Sequence, residues 1–461
     1  MKTPIADFVK RYAKSDLSRF HMPGHKGKSF LGIESWDITE ISGADSLYEA
    51  EGIIAESEKN ATLLFGSRNT FYSTEGSSQC LKAMLYLLLM ESKKEEKKRP
   101  YIIAGRNAHK AFLYGAALLN LEIVWWQGEK RNSLCSCNLV PSSLEEIIDK
   151  REESPIGVYV TSPDYLGNIL PIKEIADICH KHKTYLAVDN AHGAYLRFLN
   201  PSLHPMDLGA DLCCDSAHKT LPVLTGGAYL HIGKGMKPGI EKQGKQALAL
   251  FGSTSPSYLT LISLDYCNRY LKEEYSKKLE TTLKLLKKLK ENLIDQGWKV
   301  EETEPLKLTV FVNYKDKGKK RGGLWLAERL AKEGIYIEYA DTEFIVFMFT
   351  PENDIKEIEK LKESFFSLKN ERDKWQEEQN KISWNNEKHS QVLSVRKALL
   401  EERETISVGD SVGRICADPL VSCPPAIPVL VSGERIEERD LEIFNYYGIK
   451  NISVVKEYIS K

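Results

Sequence analysis

Between residues 70 and 232, short runs rich in β-branched and aromatic residues alternate with longer amphipathic stretches. This alternation constrains the fold more than any other feature. The apolar runs predict strands at 101–104, 122–126, 157–160, 185–188, 212–215 and 228–232, and the stretches between them predict helices at 78–90, 108–120, 141–150 and 172–182. Strand–helix–strand units of this spacing imply right-handed crossovers and a mostly parallel sheet covered on both faces. The last strand follows its predecessor through a short loop, which predicts one antiparallel member.

The pattern changes beyond about residue 255. A long charged amphipathic helix over 264–295, a strand over 306–313, a helix over 324–333 and two strand-like runs at 336–339 and 344–349 predict a smaller α+β domain. A polar helical spacer over 368–390 leads to a short segment with a Pro-rich centre at 423–428. We therefore expect an N-terminal segment (1–30), a large α/β domain (31–263), a small domain (264–367), and a spacer with a C-terminal domain (368–461).

Charge and cysteine usage narrow the class of protein. The 461 residues carry 64 Lys and Arg against 65 Asp and Glu, a formal net charge of −1, which argues against a nucleic-acid or membrane partner. The first residues lack the apolar core of a signal peptide. Nine cysteines are scattered without a framework, which predicts reduced thiols and a cytoplasmic location. They also lack zinc spacing, so we expect no metal.

Polar clusters follow three of the predicted strands. Thr161 closes one strand, 189–193 closes the next and 216–220 closes a third. Ligands bind beyond the carboxyl ends of the strands in an open parallel sheet. The three clusters therefore predict a single site.

Lys219 and Asp189 are the residues with the clearest chemistry. A partly desolvated lysine at the mouth of a cleft can act as a nucleophilic amine, although a solvated loop lysine is the common alternative. A carboxylate ending an apolar strand needs a cationic partner, and the protonated ring nitrogen of pyridoxal phosphate would serve. The alternative for Asp189 is a cap on the next helix.

Two further features could serve the same cofactor. The hydroxyl-rich stretch 73–78 before a helix offers free backbone N–H groups to a phosphate, or is a plain N-cap. His109 opens a helix at another strand end, where it could stack on an aromatic ring or simply face water.

Four motifs occur in an order that resembles the Orn/Lys/Arg decarboxylase family. They are HMPGHKG at 21–27, SAHKTLP at 216–222, STSPSY at 253–258 and PPAIP at 424–428. The match covers essentially the whole chain. The sequence resembles the short form of the family, which lacks the N-terminal wing domain. The resemblance implies an aspartate aminotransferase-like, fold-type I α/β domain, with pyridoxal 5'-phosphate as cofactor and a homodimer, possibly a higher oligomer, as the assembly.

The resemblance also assigns roles by position. Lys219 would carry the cofactor covalently, Asp189 would pair with its ring nitrogen, and His109 would stack on the ring. His192 and Ala191 would flank the cofactor, and Thr161 would bond near its phenolic oxygen. The phosphate would be held by Gly76, Ser77, Ser78, Ser216 and His218, and Ser253 and Thr254 would reach the phosphate of the neighbouring subunit, so that active sites are shared.

The implied reaction is α-decarboxylation of a basic amino acid, with arginine preferred over lysine and ornithine, in polyamine biosynthesis rather than acid-stress defence. Three departures put the substrate in doubt. Asn190 stands where the family usually has an acid, Cys423 stands where it usually has an aromatic, and Asp418 is the one acid near that segment. An aminotransferase or β-eliminating lyase is one rival, although Arg414 is the one candidate arginine clamp. A non-catalytic cofactor-binding paralogue is the other.

Overall fold

The computed structural model describes residues 1–93, 100–128, 137–377, 388–418 and 428–456, which divide into two compact units. The large unit comprises 1–162, 170–273 and 385–461, and the small unit comprises 163–169 and 274–384. The predicted N-terminal segment and residues 385–461 of the predicted C-terminal part belong to the large unit, whereas residues 368–384 belong to the small unit. The boundaries of the four predicted segments stay a prediction.

The large unit is built on a seven-stranded sheet with the strand order β1-β7-β6-β5-β4-β2-β3. Its elements, in chain order, are α1 (Pro4–Ala13), α2 (Ile53–Phe65), β1 (Asn69–Ser73), α3 (Ser77–Lys93), β2 (Tyr101–Gly105), α4 (Lys110–Leu118), β3 (Glu122–Trp126), α5 (Pro141–Asp149), β4 (Gly157–Thr161), α6 (Ile172–Lys181), β5 (Leu186–Asp189), β6 (Leu212–Asp215), α7 (Ala217–Thr220), β7 (Ala228–Ile232), α8 (Glu241–Ala249) and α9 (Tyr258–Tyr270). β7 pairs antiparallel with both β1 and β6, and the other neighbours are parallel. The predicted mostly parallel sheet with one antiparallel strand is confirmed.

Two apolar cores cover the two faces of this sheet. One is formed largely by α3, α4 and α8, and includes Leu85, Phe112 and Leu248. The other is formed by α5 and α6, and includes Leu144 and Ile175. Burial on both faces explains why the strands are continuous apolar runs rather than alternating ones.

A π-helical turn, Leu271–Tyr275, follows α9, and the boundary between the units falls at residues 273 and 274. The small unit then contains α10 (Ser276–Asp295), β8 (Lys299–Val300), β9 (Lys307–Phe311), β10 (Asn313–Asp316), β11 (Lys319–Gly322), α11 (Gly323–Lys332), β12 (Tyr339–Ala340), β13 (Phe344–Met348), α12 (Ile355–Ser367), α13 (Lys369–Arg372) and β14 (Gln376–Glu377). β8, β9, β12 and β13 form one antiparallel sheet, and β10, β11 and β14 form another.

The loop 163–169 belongs to this small unit although it follows β4 in the chain. The ammonium of buried Lys307 donates to the carbonyl of Tyr165 at 3.2 Å, and the hydroxyl of Thr309 donates to the carbonyl of Leu166 at 2.7 Å. The backbone N–H of Glu304 donates to the carbonyl of Gly167 at 2.7 Å. These bonds join the loop to β9 and to the turn before it.

Four predictions for this half of the chain are wrong in detail. The helix over 264–295 is divided by the π-helical turn. The strand over 306–313 breaks at Val312, whose N–H bonds to Glu343, because β9 and β10 join different sheets. The strand over 336–339 reduces to an edge pairing at Tyr339, with Tyr336 exposed. The spacer over 368–390 contains one short helix and one short strand, and its residues 378–387 lie outside the described part of the chain.

The C-terminal segment packs on the large unit through α14 (Val395–Leu400), which contacts α4, and continues through β15 (Arg403–Ser407), α15 (Glu438–Tyr446) and β16 (Asn451–Val455). β15 and β16 pair antiparallel. The guanidinium of Arg396 donates to the carbonyls of Ala117 and Leu118 at the end of α4. The C-terminal segment is therefore anchored beside the helix that begins after His109.

Candidate active site

The carboxyl ends of β4, β5 and β6 lie side by side, as the polar clusters predicted. Thr161 is in register with Asp189, and Asp189 is in register with Cys214, the residue before Asp215. The segments that follow β5 and β6 therefore leave the sheet next to each other.

Lys219 lies at the end of α7, and its Nζ is 3.1 Å from Nε2 of His192. His192 follows β5 and is buried. The side chain of Lys219 is exposed in the single chain, because the buried side of the short helix α7 carries Ala217 and Thr220. The expected partial desolvation of this lysine stays a prediction.

Asp189 is 3% exposed and is held by three donors. The hydroxyl of Tyr159 donates to Oδ2 at 3.0 Å, and the N–H of Ala191 donates to Oδ1 at 3.2 Å. The thiol of Cys214 lies 3.7 Å from Oδ1. Burial and the neighbouring carboxylate hold the pKa of Tyr159 well above its usual value, so the phenol stays a donor. Asp189 is thus an oriented, buried carboxylate at the strand end.

His109 is the N-cap of α4, where its Nδ1 accepts the N–H of Ala111 at 3.2 Å. Burial lowers the pKa of His109, Asp189 raises it, and Lys219 lowers it. The net shift is downward, so the imidazole is neutral near pH 7 and suits stacking on a ring. β2, β4, β5 and β6 are parallel neighbours in the sheet, so His109, Asp189 and Lys219, which lie at or after the ends of β2, β5 and β6, are at the same edge of the sheet.

The first turn of α3 offers an anion site. Gly76 has φ +73°, and a Cβ built there would meet no atom within 4 Å. α3 starts at Ser77, so Ser77 and Ser78 lie in its first turn, where backbone N–H groups have no partner within the helix. Glu75, which precedes Gly76, is exposed.

Ser216 and His218 approach the site from α7. Ser216 is the buried N-cap residue of α7, with its Oγ 3.5 Å from Nδ1 of His218. Nδ1 of His218 also lies 3.2 Å from the carbonyl of Gly227, which it can reach as a donor. Burial lowers the pKa of His218. Ser253 and Thr254 are on an exposed loop before α9, so their expected role towards a neighbouring subunit stays a prediction.

A buried network around Asp215 was missed by the sequence analysis. Oδ2 of Asp215 lies 3.0 Å from Nε2 of both His204 and His231, and Oδ1 accepts the side-chain amide of Asn190 at 2.6 Å. All four side chains are fully buried. The two histidines lie 11 and 16 positions from Asp215, beyond the range of a local sequence motif.

The His204, Asp215 and His231 ligand atoms lie within 4.8 Å of one another, a spacing that a cation could use. The N–H of Met206 donates to Nδ1 of His204 at 3.3 Å, so Nδ1 is an acceptor and Nε2 is the nitrogen that carries a proton. A protonated Nε2 donates to Asp215 and has no lone pair for a metal. The contacts therefore fit a carboxylate between two donors, and the absence of metal stays a prediction.

The C-terminal segment contributes a second feature that the sequence did not signal. Buried Arg106 donates to both carboxylate oxygens of buried Glu434, each at 2.7 Å, and to the carbonyl of Val429 at 3.3 Å. Cys423 and most of the Pro-rich centre lie outside the described residues. Asp418 is half-buried, and burial raises its pKa while Arg403 lowers it.

Arg414 is occupied. Its guanidinium donates to Glu404 on β15 at 2.6 Å and to the carbonyl of Val455 on β16 at 3.0 Å. These contacts give it a structural task, which weakens the aminotransferase alternative that relied on it as a carboxylate clamp.

A seven-stranded sheet of this order, with a lysine and a carboxylate at adjacent strand ends, defines an α/β enzyme of the fold-type I class. The chain belongs to the Orn/Lys/Arg decarboxylase family: residues 3–315 match the family's major domain and residues 380–453 match its C-terminal domain. The resemblance carried by the four motifs is thereby confirmed, and the chain is a decarboxylase.

Arginine decarboxylases are similar to this chain along nearly its whole length. The chain is 27% identical to an arginine decarboxylase of Halalkalibacterium halodurans over 95% of this chain and 92% of that protein. It is 26% identical to an arginine decarboxylase of Bacillus subtilis over 98% and 94%. Among solved structures, the Francisella novicida lysine decarboxylase LdcF superposes with a TM-score of 0.81 at 17% identity, over 98% of this chain and 81% of that one. At that identity the likeness shows the fold.

Proposed function

We propose that this chain is a pyridoxal phosphate-dependent enzyme that removes the α-carboxylate of a basic amino acid, with arginine preferred over lysine and ornithine. The observation that carries the proposal is the convergence of Lys219, Asp189 and His109 at neighbouring strand ends. The relatives named arginine decarboxylase support the order of substrates. Polyamine biosynthesis in the cytoplasm is part of the proposal; no helix among the described residues is long and apolar enough to cross a membrane.

The residues present fit pyridoxal phosphate. The open space at Gly76 and the first-turn N–H groups of Ser77 and Ser78 suit a phosphate, with Ser216 and His218 beside it. The hydroxyl of Thr161, on the strand beside Asp189, suits the phenolic oxygen. When bound, the cofactor supplies a conjugated electron sink for the electron pair that CO2 leaves behind.

The protein side chains supply orientation and proton handling. Asp189, held by Tyr159 and Ala191, keeps a pyridinium nitrogen protonated by pairing with it. His109, as a neutral ring, and Ala191 provide surfaces for an aromatic ring. The 3.1 Å approach of His192 Nε2 to Lys219 Nζ would let these two groups exchange a proton, and Lys219 would be the residue that holds the cofactor.

We also propose a homodimer with shared active sites. Ser253 and Thr254 are exposed, and the N-terminal segment presents Phe20, Phe30 and Leu31 with 94%, 82% and 82% of their surface exposed. Apolar side chains exposed in one continuous segment favour burial against another copy. If sites are shared, mixing inactive Lys219→Ala chains with inactive Thr254-substituted chains restores part of the activity, whereas separate sites leave the mixture inactive.

The test of the reaction is mass spectrometry of the products formed from an equimolar mixture of arginine, lysine and ornithine with the reconstituted protein. Agmatine as the main product supports the proposed preference, and cadaverine or putrescine would reassign it. Borohydride reduction followed by peptide mapping should place the cofactor on Lys219. A Lys219→Ala chain is the control for both. Keto acid products, or no amine at all from a chain that carries the cofactor, would contradict α-decarboxylation.

A further inference from the structure

Asn190 sits at the base of the turn that presents Ala191 and His192. Its backbone N–H donates to the carbonyl of Cys214 on β6 at 3.0 Å, and its own carbonyl accepts the N–H of Gly193 at 2.8 Å. The side chain lies against Gly193, where a Cβ would come within 2.0 Å of Oδ1 of Asn190. Any movement of the Asn190 side chain is therefore passed to the turn that carries His192.

The other partner of this side chain is Asp215, which ends β6 and directly precedes the Ser216–Lys219 stretch. Nδ2 of Asn190 donates to Oδ1 of Asp215 at 2.6 Å, and both side chains are fully buried. One carboxylate thus joins the segment after β5 to the segment after β6. These two segments carry His192 and Lys219, whose nitrogens lie 3.1 Å apart.

The imidazoles of His204 and His231 favour the ionised form of Asp215. Burial raises the pKa of this carboxyl, but the two rings, each 3.0 Å away, lower it more, and the net shift is well below the usual range. The other ionisable groups that face it from the packed elements are Cys80 on α3, Cys213 and Cys214 on β6, and Tyr229 on β7. Burial raises the pKa of each of these thiols and of the phenol, so they stay protonated and add no charge.

The motif at 189–193 usually carries an acid at its second position, and here it carries Asn190. The structure shows what an acid would meet: a second, ionised carboxylate at hydrogen-bond distance. Two carboxylates so close cannot both be ionised.

We propose that Asp215 is a positioning residue for the cofactor site, acting through Asn190 as a donor–acceptor pair that sets the turn bearing Asp189 and His192. This inference rests on the proposed function, because the turn is set for the cofactor. One of the two side chains must donate the hydrogen bond and the other must accept it. Either position can hold the ionised acceptor.

An isosteric double-mutant cycle tests the direction of the pair. Asn190→Asp places two acids face to face, and Asp215→Asn leaves two amides between fixed donors. Each should weaken pyridoxal phosphate binding by about tenfold, the scale for a partner that orients a ligand without touching it. The double variant N190D/D215N restores one donor and one acceptor with unchanged shape, and should recover cofactor affinity to within about threefold.

The pH dependence of cofactor affinity separates positioning from mere stability. In the N190D chain, a protonated carboxyl at position 190 can donate to Asp215 as the amide of Asn190 does. The cofactor affinity relative to the natural chain should therefore be near normal at about pH 6 and should fall at higher pH, as the shared proton is lost. Asn313→Asp is the matched control, because Asn313 is a buried amide that donates to Glu343 at 3.2 Å in the small unit. It should lower Tm without changing cofactor affinity.

Three outcomes would overturn the inference. They are N190D binding the cofactor as the natural chain does at every pH, a double variant no better than N190D, or N313D weakening the cofactor equally. Absorbance titration of the cofactor needs no substrate. A natural chain that binds pyridoxal phosphate but decarboxylates no basic amino acid would therefore refute the proposed function alone, and one that binds no cofactor would refute both.

Discussion

Arg106 and Glu434 are 328 positions apart in the chain, yet they form a buried ion pair with two parallel hydrogen bonds of 2.7 Å. Arg106 lies between β2 and His109, and Glu434 follows the Pro-rich centre of the C-terminal segment. Oε2 of Glu434 also accepts the N–H of Val431 at 2.9 Å, and the guanidinium lies over the ring of Trp125. The pair therefore ties the C-terminal segment to the strand end that carries His109.

Breaking this pair from one side should destabilise the protein strongly. Arg106→Met leaves an uncompensated buried carboxylate and should lower the free energy of unfolding of the large unit by about 3 to 5 kcal/mol. The R106M/E434L double variant should recover most of that loss, since neither charge remains. Urea unfolding followed by tryptophan fluorescence measures both. Lys284→Met, which breaks an exposed pair with Glu280, should change stability by less than about 0.5 kcal/mol. A single variant as mild as K284M would contradict the argument.

Gly76→Ala should weaken the cofactor more than it weakens the fold. The φ of +73° costs an alanine about 1 to 2 kcal/mol, and the added methyl group enters the space assigned to the phosphate. Gly239→Ala is the control, because Gly239 has φ +97° and equally open surroundings. Both variants should lose similar stability in thermal melts, while G76A alone loses affinity for pyridoxal phosphate. Equal affinities would place the phosphate elsewhere.

Asp189→Asn tests the carboxylate without changing its shape. An amide cannot hold a protonated pyridinium, so kcat should fall by at least about 100-fold, the usual scale for an oriented electrostatic group. Asp211→Asn makes the same change in another buried aspartate, which lies just before β6 and bonds His180 at 3.0 Å. It should keep kcat within about threefold. A D189N chain with natural kcat would remove Asp189 from the reaction.

Asp265 predicts a pH dependence of stability. It is fully buried and accepts the N–H of Ala6 at 3.0 Å and the hydroxyl of Ser57 at 2.6 Å. Burial raises its pKa from 3.8 to about 6 against the lowering effect of these donors. Because the folded state holds the proton more tightly, the stabilisation is complete below about pH 4 and is lost as the pH rises through about 6.

The loss should amount to about 3 kcal/mol, the equivalent of a shift of roughly two pKa units. Asp265→Asn cannot titrate. Its stability relative to the natural chain, measured from urea midpoints, should therefore be higher at about pH 8 than at about pH 5. A difference between the two chains that does not change with pH would show that Asp265 titrates normally.

The strands and helices around the main sheet could be predicted because each of them is a local apolar run bounded by polar turns. Lys219 and Asp189 could be predicted because each of them stands where such a run ends. The motif resemblance supplied the roles of Gly76 and His192, which no periodicity reveals. The structure brings Lys219, Asp189, His109 and His192 together, and their roles stay predictions.

Other features depend on pairings between distant residues. β1 was missed because its partner is β7, far along the chain. The π-helical turn at Leu271–Tyr275 leaves the amphipathic pattern nearly unbroken, so the sequence favours one long helix. Asp215 and Glu434 looked ordinary because their partners, His204, His231 and Arg106, are separated from them by strands or by most of the chain.

The loop 163–169 has a consequence for how this protein can be divided. The chain passes between the two units four times, at 162/163, 169/170, 273/274 and 384/385, so neither unit is a continuous piece of sequence. A fragment covering 274–384 would leave the buried ammonium of Lys307 and the hydroxyl of Thr309 without the carbonyls of Tyr165 and Leu166. The small unit therefore cannot be exchanged as a single block between relatives, and any transplant must carry its seven-residue loop from the middle of the other unit.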